Sequence, residues 1–217
     1  KTPTSHGGLN AVNERASYMI GNYRNIGVRD QRWVTVTGTN ISDAEAALLR
    51  KHFRGRTDAE VDEKTLAAYN LHLVGGPAAN SVVRKIADKL PIRFRKGAFT
   101  VGDRVYDQPQ MGVRFVYPNP FKPGKHMTVT AFNDIQAAAA QGFYRASRVG
   151  GGEFRDGDVL IFGLSETGKP PFGTERLILD ANWRVPKTEV LKTLKQPMTY
   201  EAYLQVMAKA LKVGTGA

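Results

Sequence analysis

The chain has no cysteine among its 217 residues. That excludes disulfide staples, thiolate metal sites and cysteine nucleophiles together. Nor does any apolar run approach the ~18 residues that a membrane-spanning helix needs. Metal-ligand spacing is missing as well: His6, His52, His72 and His126 form no His-x-x-x-His pair and join no acidic cluster. There is no Gly-x-Ser-x-Gly elbow, no Gly-x-Gly-x-x-Gly and no Gly-x-x-x-x-Gly-Lys-Ser/Thr loop. Neighbouring carboxylates such as Asp62 with Glu63, or Asp156 with Asp158, read as turn and surface residues. No catalytic residue, metal ligand or cofactor is therefore expected.

Acidic residues are in short supply too, at 20 against 31 basic, for a net charge of +11. The excess is local. From Arg84 to Arg104 there are seven basic residues (Arg84, Lys85, Lys89, Arg93, Arg95, Lys96, Arg104) and two acidic ones (Asp88, Asp103). Such a patch suits a protein partner, an acidic polymer, a small anion, nucleic acid or a membrane surface, or is simply the solvated face of a basic protein. Arg93-Phe94-Arg95 alternates charge with an aromatic, as single-strand nucleic-acid binders do, but every half-buried hairpin alternates in this way. Nucleic acid is the less favoured partner.

The most structured stretch is 70–91. A short apolar run ends in Gly75-Gly76-Pro77 and passes at once into an amphipathic pattern, which predicts strand, tight loop and helix. Trp33–Thr37 is β-branched and aromatic and stops at Gly38, predicting a first strand. Ser42 and Glu45 have capping-box spacing, and a helix is expected over 42–54 with Ala46, Leu49 and Phe53 on one face. A short acidic helix follows within 56–69. The β-α-β-α order favours a parallel sheet. In such a sheet the loops Gly38-Thr39 and Gly75-Gly76, with Asn80 and Ser81 opening the helix, share the carboxyl edge where ligands bind. Those six residues are the candidate ligand site; the alternative is a structural turn with a capped helix. His72, between leucines, reads as a buried, hydrogen-bonded histidine, and His126 as the one histidine to test for chemistry.

Beyond Pro91 the pattern turns to short alternating runs, predicting a hairpin over 92–106 and strands at 113–117, 126–132, 158–162 and 176–179. Three prolines in 118–124 break the chain between two of them. Helices are expected at 10–23, 134–148, 187–195 and 200–211, with a glycine break at 150–152.

Three segments carry a resemblance: 69–92, with its Leu-Val-Gly-Gly-Pro-Ala-Ala-Asn-Ser core; Val101 to Tyr106 with Gly112 to Pro120, ending Tyr-Pro-Asn-Pro; and Asp158 to Phe162 with Asp180 to Arg184. Together they resemble the α/β region C-terminal to secreted esterase- or prolyl-oligopeptidase-like hydrolase domains of planctomycete-type bacteria. In those proteins the triad lies in the preceding domain, so no catalytic residue carries over. The resemblance covers about 33–184 and implies an accessory or recognition role in an exported setting, with the cytoplasm as the alternative. The chain opens at Lys1, so a processed protein or a piece of a longer one is expected.

The expected architecture is α/β: a Rossmann- or flavodoxin-like sheet, mixed and largely parallel, over 33–185, decorated by the hairpin at 92–106. An N-terminal arm (1–32) and a C-terminal helical extension (186–217) flank it. The expected function is a non-enzymatic accessory or assembly module. The alternatives are an enzyme or binder for a phosphorylated or carboxylated small molecule at the carboxyl edge, and nucleic-acid binding through the basic hairpin.

Overall fold

The computed structural model describes residues 32–123, 125–140, 143, 158–164, 173–177, 179–180 and 182–185. The helices expected at 10–23, 187–195 and 200–211, the glycine break, and both terminal arms apart from Arg32 lie outside the described residues.

Strand β1 (Trp33–Thr37) leads into helix α1 (Asp43–His52), which starts on the expected capping box. The Ser42 hydroxyl accepts the Glu45 N–H at 3.3 Å, and the Glu45 carboxylate accepts the Ser42 N–H at 3.0 Å. Asp43 and Glu45 sit at the positive end of α1 and Arg50, Lys51 and His52 at its negative end, as the helix dipole favours. A two-residue strand β2 (Arg56–Thr57) comes next, too short to leave a period in the sequence. Helix α2 (Glu63–Ala68), capped by Asp62, and the fully buried β3 (Asn70–Val74) complete the first half.

The helix after Gly75-Gly76 is shorter than its amphipathic pattern implies. It splits into α3 (Ser81–Lys85) and a 3₁₀ turn (Ala87–Lys89), broken at Ile86 (φ −119°). Leu90 is extended, as a residue before proline must be. Strands β4 (Ile92–Arg95), β5 (Ala98–Val101) and β6 (Arg104–Tyr106) follow, then β7 (Gly112–Pro118), β8 (His126–Phe132), α4 (Ile135–Ala140), β9 (Val159–Leu164) and β10 (Gly173–Leu177).

Among the described residues the main sheet has seven strands in the order β10-β9-β7-β8-β3-β1-β2. Strands β2, β1, β3 and β8 are mutually parallel; β7 runs against β8 and β9, and β10 against β9. Five of the seven strands thus point one way. The antiparallel direction of β7 follows from the short proline-rich link to β8, too brief for a crossover.

The register assigns the faces. Val36, Leu71, Leu73, Val113, Phe115, Val129 and Ile161 lie on one, packed with Leu66 of α2 and Val82, Val83 and Ile86 around α3. Ile92, Phe99, Val101 and Tyr106 join the same cluster. The segment 92–106, expected as a hairpin insertion, is an antiparallel three-stranded sheet of its own, and its apolar row packs into the core. A second cluster on the opposite face joins Leu49 of α1 and Phe53 at its C-terminal cap to Ile135 and Ala138 of α4, Val74, Leu160 and Phe162. The main sheet is thus covered on both sides. Alternating residues of a strand serve different layers, which is why all five residues of β3, Asn70 and His72 included, are buried.

Candidate functional site

All six residues of the candidate ligand site meet at the carboxyl edge of β1 and β3, where the chain is bound to itself. Gly38 donates its N–H to the Val74 carbonyl at 2.9 Å, and a Cβ there would lie 2.4 Å from the Ala79 carbonyl oxygen. Only glycine permits so close a backbone approach. Gly75 takes a left-handed φ of 102° and donates to Thr130 O at 2.8 Å. The Gly76 carbonyl accepts the N–H of both Ala79 and Asn80 at 2.9 Å, closing the turn over Pro77.

Asn80 joins three elements. Its buried amide donates to Val36 O and Val74 O, each at 3.0 Å, tying the ends of β1 and β3 together. Its Oδ1 accepts the N–H of Val82 at 3.0 Å and of Val83 at 3.2 Å, capping α3. Buried Asp58, just past β2, takes the Ser81 N–H on Oδ2 at 2.6 Å and the Thr39 hydroxyl on Oδ1 at 2.7 Å. Arg84 N–H bonds back to Asn80 O at 3.0 Å. The first four amides of α3, the groups that would greet an anion, are all taken by the protein's own oxygens.

The loop is tied from outside as well. The Asn40 amide and the Arg84 guanidinium donate to Ala78 O at 2.7 and 3.0 Å, and Arg84 Nε donates to Pro77 O at 2.9 Å. Asp58 was missed in the sequence because an acidic residue in a polar turn carries no signal. Its partners stand 19 and 23 residues away.

The basic residues divide into two groups. Arg84 is tied as described, Arg93 donates to Gly102 O at 3.1 Å, and Arg104 pairs with Glu175 while lying 5.3 Å from the Tyr106 ring centre. Lys85, Lys89, Arg95 and Lys96 are exposed, with no ion-pair partner among the described residues. Tyr106 donates its hydroxyl to Glu175 at 3.2 Å, and burial, with the Glu175 charge, pushes its phenol above the usual range.

His72 is buried as expected, with Nε2 3.0 Å from Thr130 Oγ1 and Phe53 edge-on at 5.9 Å. Burial and the nearby Arg114 charge hold its pKa well below the ordinary value. His126 is also buried, and desolvation pushes it down to about 4, so it is neutral at pH 7. It lies near Trp183, which takes a left-handed φ of 60° in a loop that Asp180 braces through the N–H groups of Asn182 and Arg184. Trp183 meets Tyr117 edge-on at 5.9 Å, at the start of the Tyr-Pro-Asn-Pro loop. Asn119 fastens that loop by donating to Leu66 O and Tyr69 O.

Among the described residues no group of three His, Asp or Glu could hold a metal ion, and no helix is long and apolar enough to cross a membrane. Comparison with protein-family models, curated proteins and solved structures found no match.

Proposed function

We propose that the chain is a non-catalytic binding or assembly module. The observation that carries this reading is the internal capping of α3. Ser81, Val82, Val83 and Arg84 all direct their N–H groups at Asp58 or Asn80, so the helix end that usually serves an anion is already occupied. The fold belongs to the same proposal. It is a Rossmann- or flavodoxin-like sheet whose ligand edge has been converted into a structural seam, with β7 and β10 running against the parallel set. The resemblance to the region behind secreted hydrolase domains supports this role, and the reading extends to an accessory part of an exported bacterial protein or complex.

The test is a thermal-unfolding panel of nucleotides, flavins and sugar phosphates. The proposal expects no shift. A ligand held at the carboxyl edge would add ~2.7 kcal/mol of stability at 100 times its dissociation constant. Such a response would return the chain to the class of small-molecule binders and enzymes.

A further inference from the structure

We propose that the outer face of the three-stranded sheet docks an acidic polypeptide segment, its carboxylates meeting Arg93, Arg95 and Lys96 around the exposed Val105. This rests on the reading of the chain as a binding module and names the surface and the partner's chemistry.

The register builds the face. Arg93 stands opposite Thr100, and Thr100 opposite Val105, forming one row across β4, β5 and β6. Phe94, Phe99 and Tyr106 form the adjacent row, which points the other way into the core. Arg95 closes the β4–β5 hairpin beside Lys96, and both are exposed. Val105, 49% exposed, is the one large hydrophobic left open among the described residues. The meander's acidic residue, Asp103, is at the opposite turn.

An aliphatic side chain set among cations suits a polypeptide that brings both carboxylates and apolar side chains. Single-stranded nucleic acid fits less well, because it needs aromatic platforms and this meander's rings are turned inward: Phe99 is 1% and Tyr106 4% exposed. A second copy of the chain would bring its own net charge of +11 against the same cations. The occupant is therefore a different, acidic chain.

The experiment is fluorescence anisotropy with an alternating Glu-Val peptide, with oligothymidylate as competitor, at low and high salt. The peptide is expected to bind the full chain and weaken as salt rises. The Arg95→Glu/Lys96→Glu pair should lose roughly tenfold or more in affinity, since charge reversal at a complementary rim opposes encounter. Val105→Asp should weaken binding several-fold. Lys122→Glu, a single reversal on the exposed proline loop, should leave it unchanged, and unfolding midpoints check that each variant folds. Three results overturn the proposal: no peptide binding, equal loss in Lys122→Glu, or oligothymidylate binding more tightly through the same residues. A small-molecule response in the unfolding panel would instead overturn the non-catalytic reading and leave this interface standing.

Discussion

The side-chain amide of Asn80 lies 3.0 Å from the carbonyl oxygen of Val36, a hydrogen bond spanning 44 residues that joins the capped end of α3 to the end of β1. The same amide holds Val74 O, and its oxygen holds two amides of α3. Every polar valence of this buried group is met within the protein, which makes the carboxyl edge a seam.

Asn80→Ala removes all four bonds. A lost cap costs ~0.5–2 kcal/mol, and each further buried bond adds ~1 kcal/mol, so a loss of about 2–4 kcal/mol is expected. Asn80→Asp should be no better, because a carboxylate oxygen would then face the carbonyls of Val36 and Val74. Urea midpoints measure both. A variant as stable as the parent would show that the seam contributes nothing.

The two loop glycines Gly38 and Gly76 should respond differently to alanine. A methyl at Gly38 would sit 2.4 Å from Ala79 O, against backbone that cannot yield. Overpacking of that kind costs ~1–3 kcal/mol or more. At Gly76 the new Cβ would meet Ala131 Cβ at 3.6 Å and Phe94 Cδ1 at 3.7 Å, ordinary contacts. Gly76→Ala should stay within about 1 kcal/mol of the parent in the same assay. Equal losses at both positions would contradict the geometry.

Much of this was readable in advance where the cause is local. The Ser42–Glu45 box, the strand at Trp33–Thr37, the hairpin within 92–106 and the burial of His72 follow from neighbouring residues. The glycines at 38 and 75 were legible as special positions, but not what they approach. Asn80 and Ser81 read as a helix cap or as an anion site, and the partners they meet, Val36 and Asp58, are distant in sequence. Strand direction was hidden too: an apolar run such as Val113 to Tyr117 looks alike in either orientation. The hairpin at 92–106 was legible from its period of two, which marks strands without saying which layer their apolar rows complete.

Stability should fall as the solution is acidified below neutrality. His126 titrates ordinarily near 6.5 and is pushed down to about 4 by burial. Below pH 6.5 the unfolded chain therefore binds a proton that the native state refuses. The stability is fully present above that pH and is lost progressively toward pH 4, by about 3 kcal/mol for this group. His72, lowered for the same reason, adds in the same direction. Urea unfolding between about pH 7 and about pH 5 should show the decline, and His126→Gln should flatten it. An unchanged slope in that variant would assign the decline to other groups.

Tyr106 is held protonated by burial first and by the Glu175 charge second. Glu175→Gln removes the charge and releases Arg104, and the Tyr106 phenol should then titrate at lower pH. An ultraviolet titration, differenced against Tyr106→Phe, reads this directly. No movement would mean that burial alone sets the value.

The central claim is that binding belongs to the outer face of the three-stranded sheet and not to the carboxyl edge. Backbone amide chemical shifts, followed while the Glu-Val peptide and then a phosphate-bearing nucleotide are titrated in, place any contact residue by residue. The account predicts peptide-dependent shifts at Arg93, Arg95, Lys96, Thr100 and Val105, with Gly38, Gly75, Gly76 and Ser81 unmoved by either addition. Shifts centred on Gly75 to Ser81 when the nucleotide is added would contradict it.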